Sequence, residues 1–188
     1  SERSRIHSPV PGLRKTLMGV LAAGALLFPG PLAAQGCGTM SAHFQFCPEG
    51  SPWAEARWIQ FGDGSAIEMG AYYVEFVEHW AGRSTDGTLD AALDALLAEM
   101  TEYGIEEGMA PPVALIRDRV ETETLAVVRA LTSTDMDDDQ PLLMATMIAE
   151  GAGARIAVMF GNDDETAADA LAQQAESFVA LIRPGQED

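Results

Sequence analysis

The chain has 188 residues, 47% of them hydrophobic, and sets 29 acidic side chains against 11 basic ones for a formal charge of −18. A field of that sign repels phosphate backbones and anionic headgroups, which argues against nucleic-acid binding and against membrane attachment through a basic face. Arg3, Arg5, Arg14 and Lys15 precede residue 35, so seven basic residues face 28 acidic ones after it, a net of −21 with no lysine.

Arg14-Lys15 is followed by the apolar run Leu17 to Phe28, then Pro29-Gly30-Pro31 and Leu32-Ala33-Ala34. Two basic residues, about a dozen apolar ones and small residues before a cut are the layout of an export signal. A spanning helix needs roughly 20 apolar residues. Residues 1–34 are therefore expected to be a leader and 35–188 a single domain, exported to the periplasm. Cys37 and Cys47 are the only cysteines. In an exported chain they are expected to form one disulfide that ties the N-terminus to the first strand. The alternative is a lipid-anchored protein acylated at Cys37, because Gly36 suits the position before such a cysteine; the mature chain otherwise carries no membrane insertion.

Ala42 to Phe46 alternates like a half-buried strand, and Pro48 to Pro52 is a turn cluster. Glu55 to Phe61 ends at Gly62-Asp63-Gly64 and is predicted to pair with a second strand from Ala66 to His79 as a hairpin. The period then changes. Leu89, Leu93, Leu96, Leu97 and Met100 form a helical stripe, with Thr88 as N-cap and Gly104 as the residue past the end. Strand character returns at Val113–Val120, Thr124–Thr132, Leu142–Glu150 and Ala154–Phe160. Apolar residues of both parities in the last two predict strands covered on both faces. Asp163-Asp164-Glu165 opens a closing helix whose stripe is Ala168, Leu171, Ala175, Phe178 and Ile182, ended by Arg183 and Pro184. The expected class is α+β, an antiparallel sheet flanked by helices as an α/β/α sandwich, in the order βββαββββα.

In this ordering the chain resembles the PsbP/DcrB group of small exported sandwiches. A Phe44-Gln45-Phe46 strand leads to Cys47-Pro48-Glu49-Gly50, then come an aromatic hairpin, one Leu89–Met100 helix, a four-strand meander and the terminal Ala175-Glu176-Ser177-Phe178 helix. The resemblance covers roughly Phe44 to Arg183. It implies a non-enzymatic extrinsic or accessory protein and brings no catalytic residues with it.

Asp135, Asp137 and Asp139 have the spacing that puts three carboxylates on one side of a loop, as Ca²⁺ requires. The calcium-loop pattern breaks afterwards, since Gln140 takes the glycine position and Thr146 the glutamate position. A solvated hairpin tip whose charge discourages edge pairing is the other reading; weak Ca²⁺ is the one cofactor the sequence raises. His43 and His79 are 36 positions apart on different predicted strands and lack ligand spacing. Met69, Met144, Met147 and Met159 are soft ligands of the kind copper takes, but methionine in two-sided strands is ordinarily core filler. Ser65, Ser133 and Ser177 lack a nucleophile elbow, and Gly151-Ala152-Gly153 meets no helix that would cradle phosphate.

Trp53, Trp58, Tyr72 and Trp80, with Tyr73, gather around the first hairpin, either as core or as a partner surface. The functional expectation is an exported, non-catalytic accessory or binding protein of the bacterial cell envelope, engaging a protein partner there. The alternatives are a small periplasmic metal-dependent enzyme or hydrolase using His43 or His79 with nearby carboxylates, and a calcium-binding envelope protein.

Overall fold

The computed structural model describes residues 36–61, 64–78, 87–136, 140–164 and 166–185. It contains β1 (Gly38–Thr39), β2 (Phe44–Phe46), a 3-10 turn at Pro52–Glu55, β3 (Arg57–Phe61), β4 (Gly64–Met69), β5 (Tyr72–Glu78) and α1 (Leu89–Glu106). There follow β6 (Val113–Glu121), β7 (Ala126–Thr134), β8 (Leu142–Gly151), β9 (Ala154–Asn162), α2 (Ala168–Val179) and β10 (Ile182–Pro184). The class is α+β, and every strand pairing among the described residues is antiparallel.

Two meanders build the large sheet. β3-β4-β5 and β6-β7-β8-β9 join where β5 pairs with β9, giving the order β3-β4-β5-β9-β8-β7-β6. The chain leaves β5 in mid-sheet and must reach the far edge at β6, and α1 makes that crossing over β7 and β8. Alternation then assigns the faces. Val128, Ala130, Ile148, Ala157 and Met159 pack with Leu89, Leu93 and Leu96 of α1. Residues of the opposite parity, among them Val127, Leu131, Met147, Ile156, Val158 and Phe160, pack with Leu171, Ala175 and Phe178 of α2.

Four expectations need correction. The predicted strand Ala66–His79 is two strands, because Gly70 takes a left-handed φ of 59° and turns the chain between β4 and β5. Phe44–Phe46 does not join the large sheet. It sits between β1 and β10 in a separate three-stranded sheet, where Ile182↔Phe46 and Gly38↔Phe46 are in register. Ile182 therefore belongs to β10 and not to the closing helix, which begins at Ala168.

The fourth correction concerns the end of α1. Thr88 caps the helix, its side chain accepting from the Ala91 N–H at 3.1 Å. Gly104, however, is inside the helix, and Gly108 at φ +85° is the terminating glycine. Met109 N–H donates to the Gly104 carbonyl at 2.8 Å and Gly108 N–H to that of Ile105 at 3.0 Å, a Schellman closure.

Cys37 and Cys47 are joined by a disulfide, as expected, across a separation of 10 residues. A loop that short stabilises by roughly 2–3 kcal/mol in the chain-entropy account. Beneath the small sheet lies an aromatic cluster: Phe46 stacks on Phe178 with centroids 4.8 Å apart, and Trp53 meets Phe178 edge-on at the same separation.

Candidate functional site

On the α1 face of the large sheet, the register places side chains in transverse rows. Tyr73, Gly161, Met144 and Thr132 form one row, and Glu75, Met159, Thr146 and Ala130 the next. Because α1 lies over β7 and β8, the β5–β9 part of these rows is left as a floor beside it. Glu99, Met100, Tyr103 and Gly104 of α1 form one wall, and the Schellman turn folds Met109 back against Gly104 to extend it. Gly161 adds no side chain to the floor. The result is a cleft of about 520 Å³ lined mostly by apolar atoms, four methionines among them.

Next to it, with Met100, Gly104, Met109 and Met144 in both walls, is a smaller chamber of about 80 Å³. Thr132, Thr134 and Thr146 line this chamber. Thr146 is 1% exposed, and its hydroxyl has no hydrogen-bond partner among the described residues. A buried hydroxyl left unpaired is costly, so this one calls for an occupant or a reason.

The polar groups of the cleft are few. Tyr73 Oη donates to Glu75 Oε1 at 3.0 Å. Burial, then the hydrogen bond and charge of Glu75, then Glu68, push the phenol up to about 12, so it remains a neutral donor at physiological pH. A site of about 520 Å³ is the size of an organic molecule. A bare ion instead needs ligands converging at about 2.3 Å for sulfur.

His43 and Glu78 meet at a second place, where the loop before β2 touches the end of β5. His43 Nδ1 pairs with Glu78 Oε1, and the His43 N–H donates to Glu78 Oε2 at 3.2 Å. Burial acts to raise the Glu78 carboxyl, but hydrogen bonds from Ser41 and His43 outweigh it and hold the group below its ordinary value. The contact spans 35 residues and clasps the small sheet to the large one.

The aromatic residues singled out in the sequence do not form one exposed patch. Trp53 is 2% exposed within the core, and Tyr72 is half-buried with its ring 5.4 Å from that of Phe160. Trp58 is 39% exposed and packs edge-on to Phe46 and Phe76. Trp80 and His79 lie outside the described residues. Asp135 is exposed, and Asp137 and Asp139 also lie outside the described residues. Among the described residues no group of three or more His, Cys, Asp or Glu side chains is placed to hold a metal.

Of the four methionines noted in the sequence, Met144 and Met159 line the cleft, whereas Met69 and Met147 belong with the opposite core. Tyr73, read in the sequence as one of the hairpin aromatics, lies in the cleft, whereas Met100, Met109, Glu75, Glu99 and Tyr103 escaped sequence reasoning as site residues. The alternation of Tyr73 with Glu75 and the Gly108-Met109 pair after the helix were the available signals. Among the described residues no helix is long and apolar enough to cross a membrane. No protein-family profile and no curated protein matches this chain.

Proposed function

We propose that this chain is a non-catalytic binding or accessory protein of the bacterial cell envelope whose methionine-lined cleft takes up an apolar small molecule. The observation that carries this reading is the cleft itself: about 520 Å³, apolar, with a few convergent polar groups. Methionine suits such a role because its flexible, polarisable side chain adapts to guests of different shape. Export to the periplasm is supported by the Cys37–Cys47 disulfide, which persists in oxidising compartments. The finer fold reading is an α/β/α sandwich of the PsbP/DcrB kind, supported by the packing of α1 and α2 against strand residues of opposite parity. The hydrolase alternative draws on the His43–Glu78 pair. Ser41, however, is hydrogen-bonded to Glu78 and to the His43 main chain, an arrangement that serves a clasp better than a nucleophile.

The test is uptake of a neutral apolar fluorophore, N-phenyl-1-naphthylamine, with emission rising on binding. A Cβ added at Gly161 meets only the Tyr73 carbonyl oxygen, at 3.8 Å, so Gly161→Leu fills the cleft without removing a contact. Uptake by the wild type and its loss in Gly161→Leu, with the unfolding midpoint maintained, is the expected result. Equal uptake by both would place binding elsewhere and reject the cleft as the site.

A further inference from the structure

The methionine surfaces of the cleft are indifferent to charge, and its ionisable groups are not. Glu75 on β5 and Glu99 on α1 both line it, with the rings of Tyr73 and Tyr103 alongside. Arg, Lys and His are absent from its described lining. Glu99 and Tyr103 are exposed and mark the outer edge, whereas Glu75 and Tyr73 are half-buried. Tyr73 supplies one donor to Glu75, and a carboxylate offers about four acceptor sites. An anionic guest would meet the like charge of Glu75, and a neutral one would cover Glu75 without compensating it. A cation compensates it, with the phenol of Tyr73 beside it.

We propose that the cleft selects an organic cation, an apolar body seated among Met100, Met109, Met144 and Met159 with its ammonium group against Glu75 and Tyr73. This rests on the small-molecule reading above and adds the charge of the guest. The phenol hydrogen bond orients Glu75, and the flexible methionines leave shape loosely specified, so discrimination falls on charge. The general acidity of the chain contributes little at 0.15 M salt, where charges beyond about 8 Å are screened.

The experiment is calorimetric titration of the full chain, at pH 7 and 0.15 M salt, with octylammonium, octanol and octanoate, which share one apolar body. Octylammonium is expected to bind at least about tenfold more tightly than octanol, with octanoate weakest. Glu75→Gln is expected to bring the octylammonium-to-octanol ratio close to one while octanol still binds. Glu102→Gln, exposed on α1 and outside the cleft, is expected to leave the ratio unchanged. Equal wild-type affinity for octylammonium and octanol, or a ratio unmoved by Glu75→Gln, would overturn the charge selection and leave the small-molecule reading standing. Failure of all three probes to bind would overturn both.

Discussion

Replacing Thr146 by Val tests the inner chamber directly. The residue lies mid-strand on β8, between Ala130 of β7 and Met159 of β9. Both side chains are β-branched, so strand preference and χ1 are maintained, and the substitution exchanges only a hydroxyl for a methyl. The hydroxyl is 1% exposed and unpaired. Burial of such a group costs about 1–3 kcal/mol. Thr146→Val is therefore expected to stabilise the domain by about 1 kcal/mol, the lower end of that range, because the methyl must still fit beside Met100 and Leu97. In a domain of this size that raises the melting temperature by roughly 2–4 °C. Urea denaturation followed by far-UV circular dichroism measures it, with an unchanged slope showing that the unfolded state is not the cause. Loss of 1 kcal/mol or more would refute the reasoning. The chamber of about 80 Å³ exceeds the roughly 10–15 Å³ that one water needs, so a water bridging Thr146 to Thr132 or Thr134 would produce that loss.

Arg129 is 4% exposed; its Nε and one terminal nitrogen donate to the two oxygens of Asp118 at 2.9 and 2.6 Å, and the other donates to the Ala172 carbonyl at 2.7 Å. Arg129→Ala is expected to cost about 3 kcal/mol, the low end for a broken buried pair, since Asp118 is 39% exposed and rehydrates. Arg129→Met restores the packed stem but still leaves Asp118 and the Ala172 carbonyl without the guanidinium, so it is expected to recover only part of that loss in the same denaturation assay; a stability equal to wild type would show that the packed stem, and not the guanidinium hydrogen bonds, holds this site together. The clasp at Glu78 predicts a pH dependence. Its folded carboxyl titrates below the ordinary 4.5, so the folded state favours the ionised form. That contribution is complete above about 4.5 and is lost as pH falls through the lower folded value. Glu78→Gln should then narrow the stability difference between pH 6 and pH 3 as read by thermal melts, and an unchanged difference would show that other carboxylates carry the acid sensitivity.

What the sequence determined alone is local. The Leu89–Met100 stripe with its Thr88 cap, the paired β-rich runs of the second meander, and the two cysteines ten positions apart each carry their signal within a few residues. Even the doubly apolar character of β8 and β9 was legible, because burial on both faces erases the polar alternation. Helix ends were less so: Gly104 and Gly108 both satisfy the sequence pattern, and only the backbone closure at Met109 distinguishes them. Strands of two or three residues, β1 and β10, exist through their pairing with β2 and leave no periodic trace. The cleft was decided by tertiary structure. Its floor requires β5 to pair with β9 in the register Tyr73↔Gly161, a contact between residues 88 apart that joins two meanders. Alternation assigns Met144 and Met147 to opposite faces, but which face becomes a cleft depends on where α1 crosses. That crossing covers β7 and β8 and leaves the methionines of β8 and β9 beside the helix, a consequence of strand order that no local pattern of residues encodes.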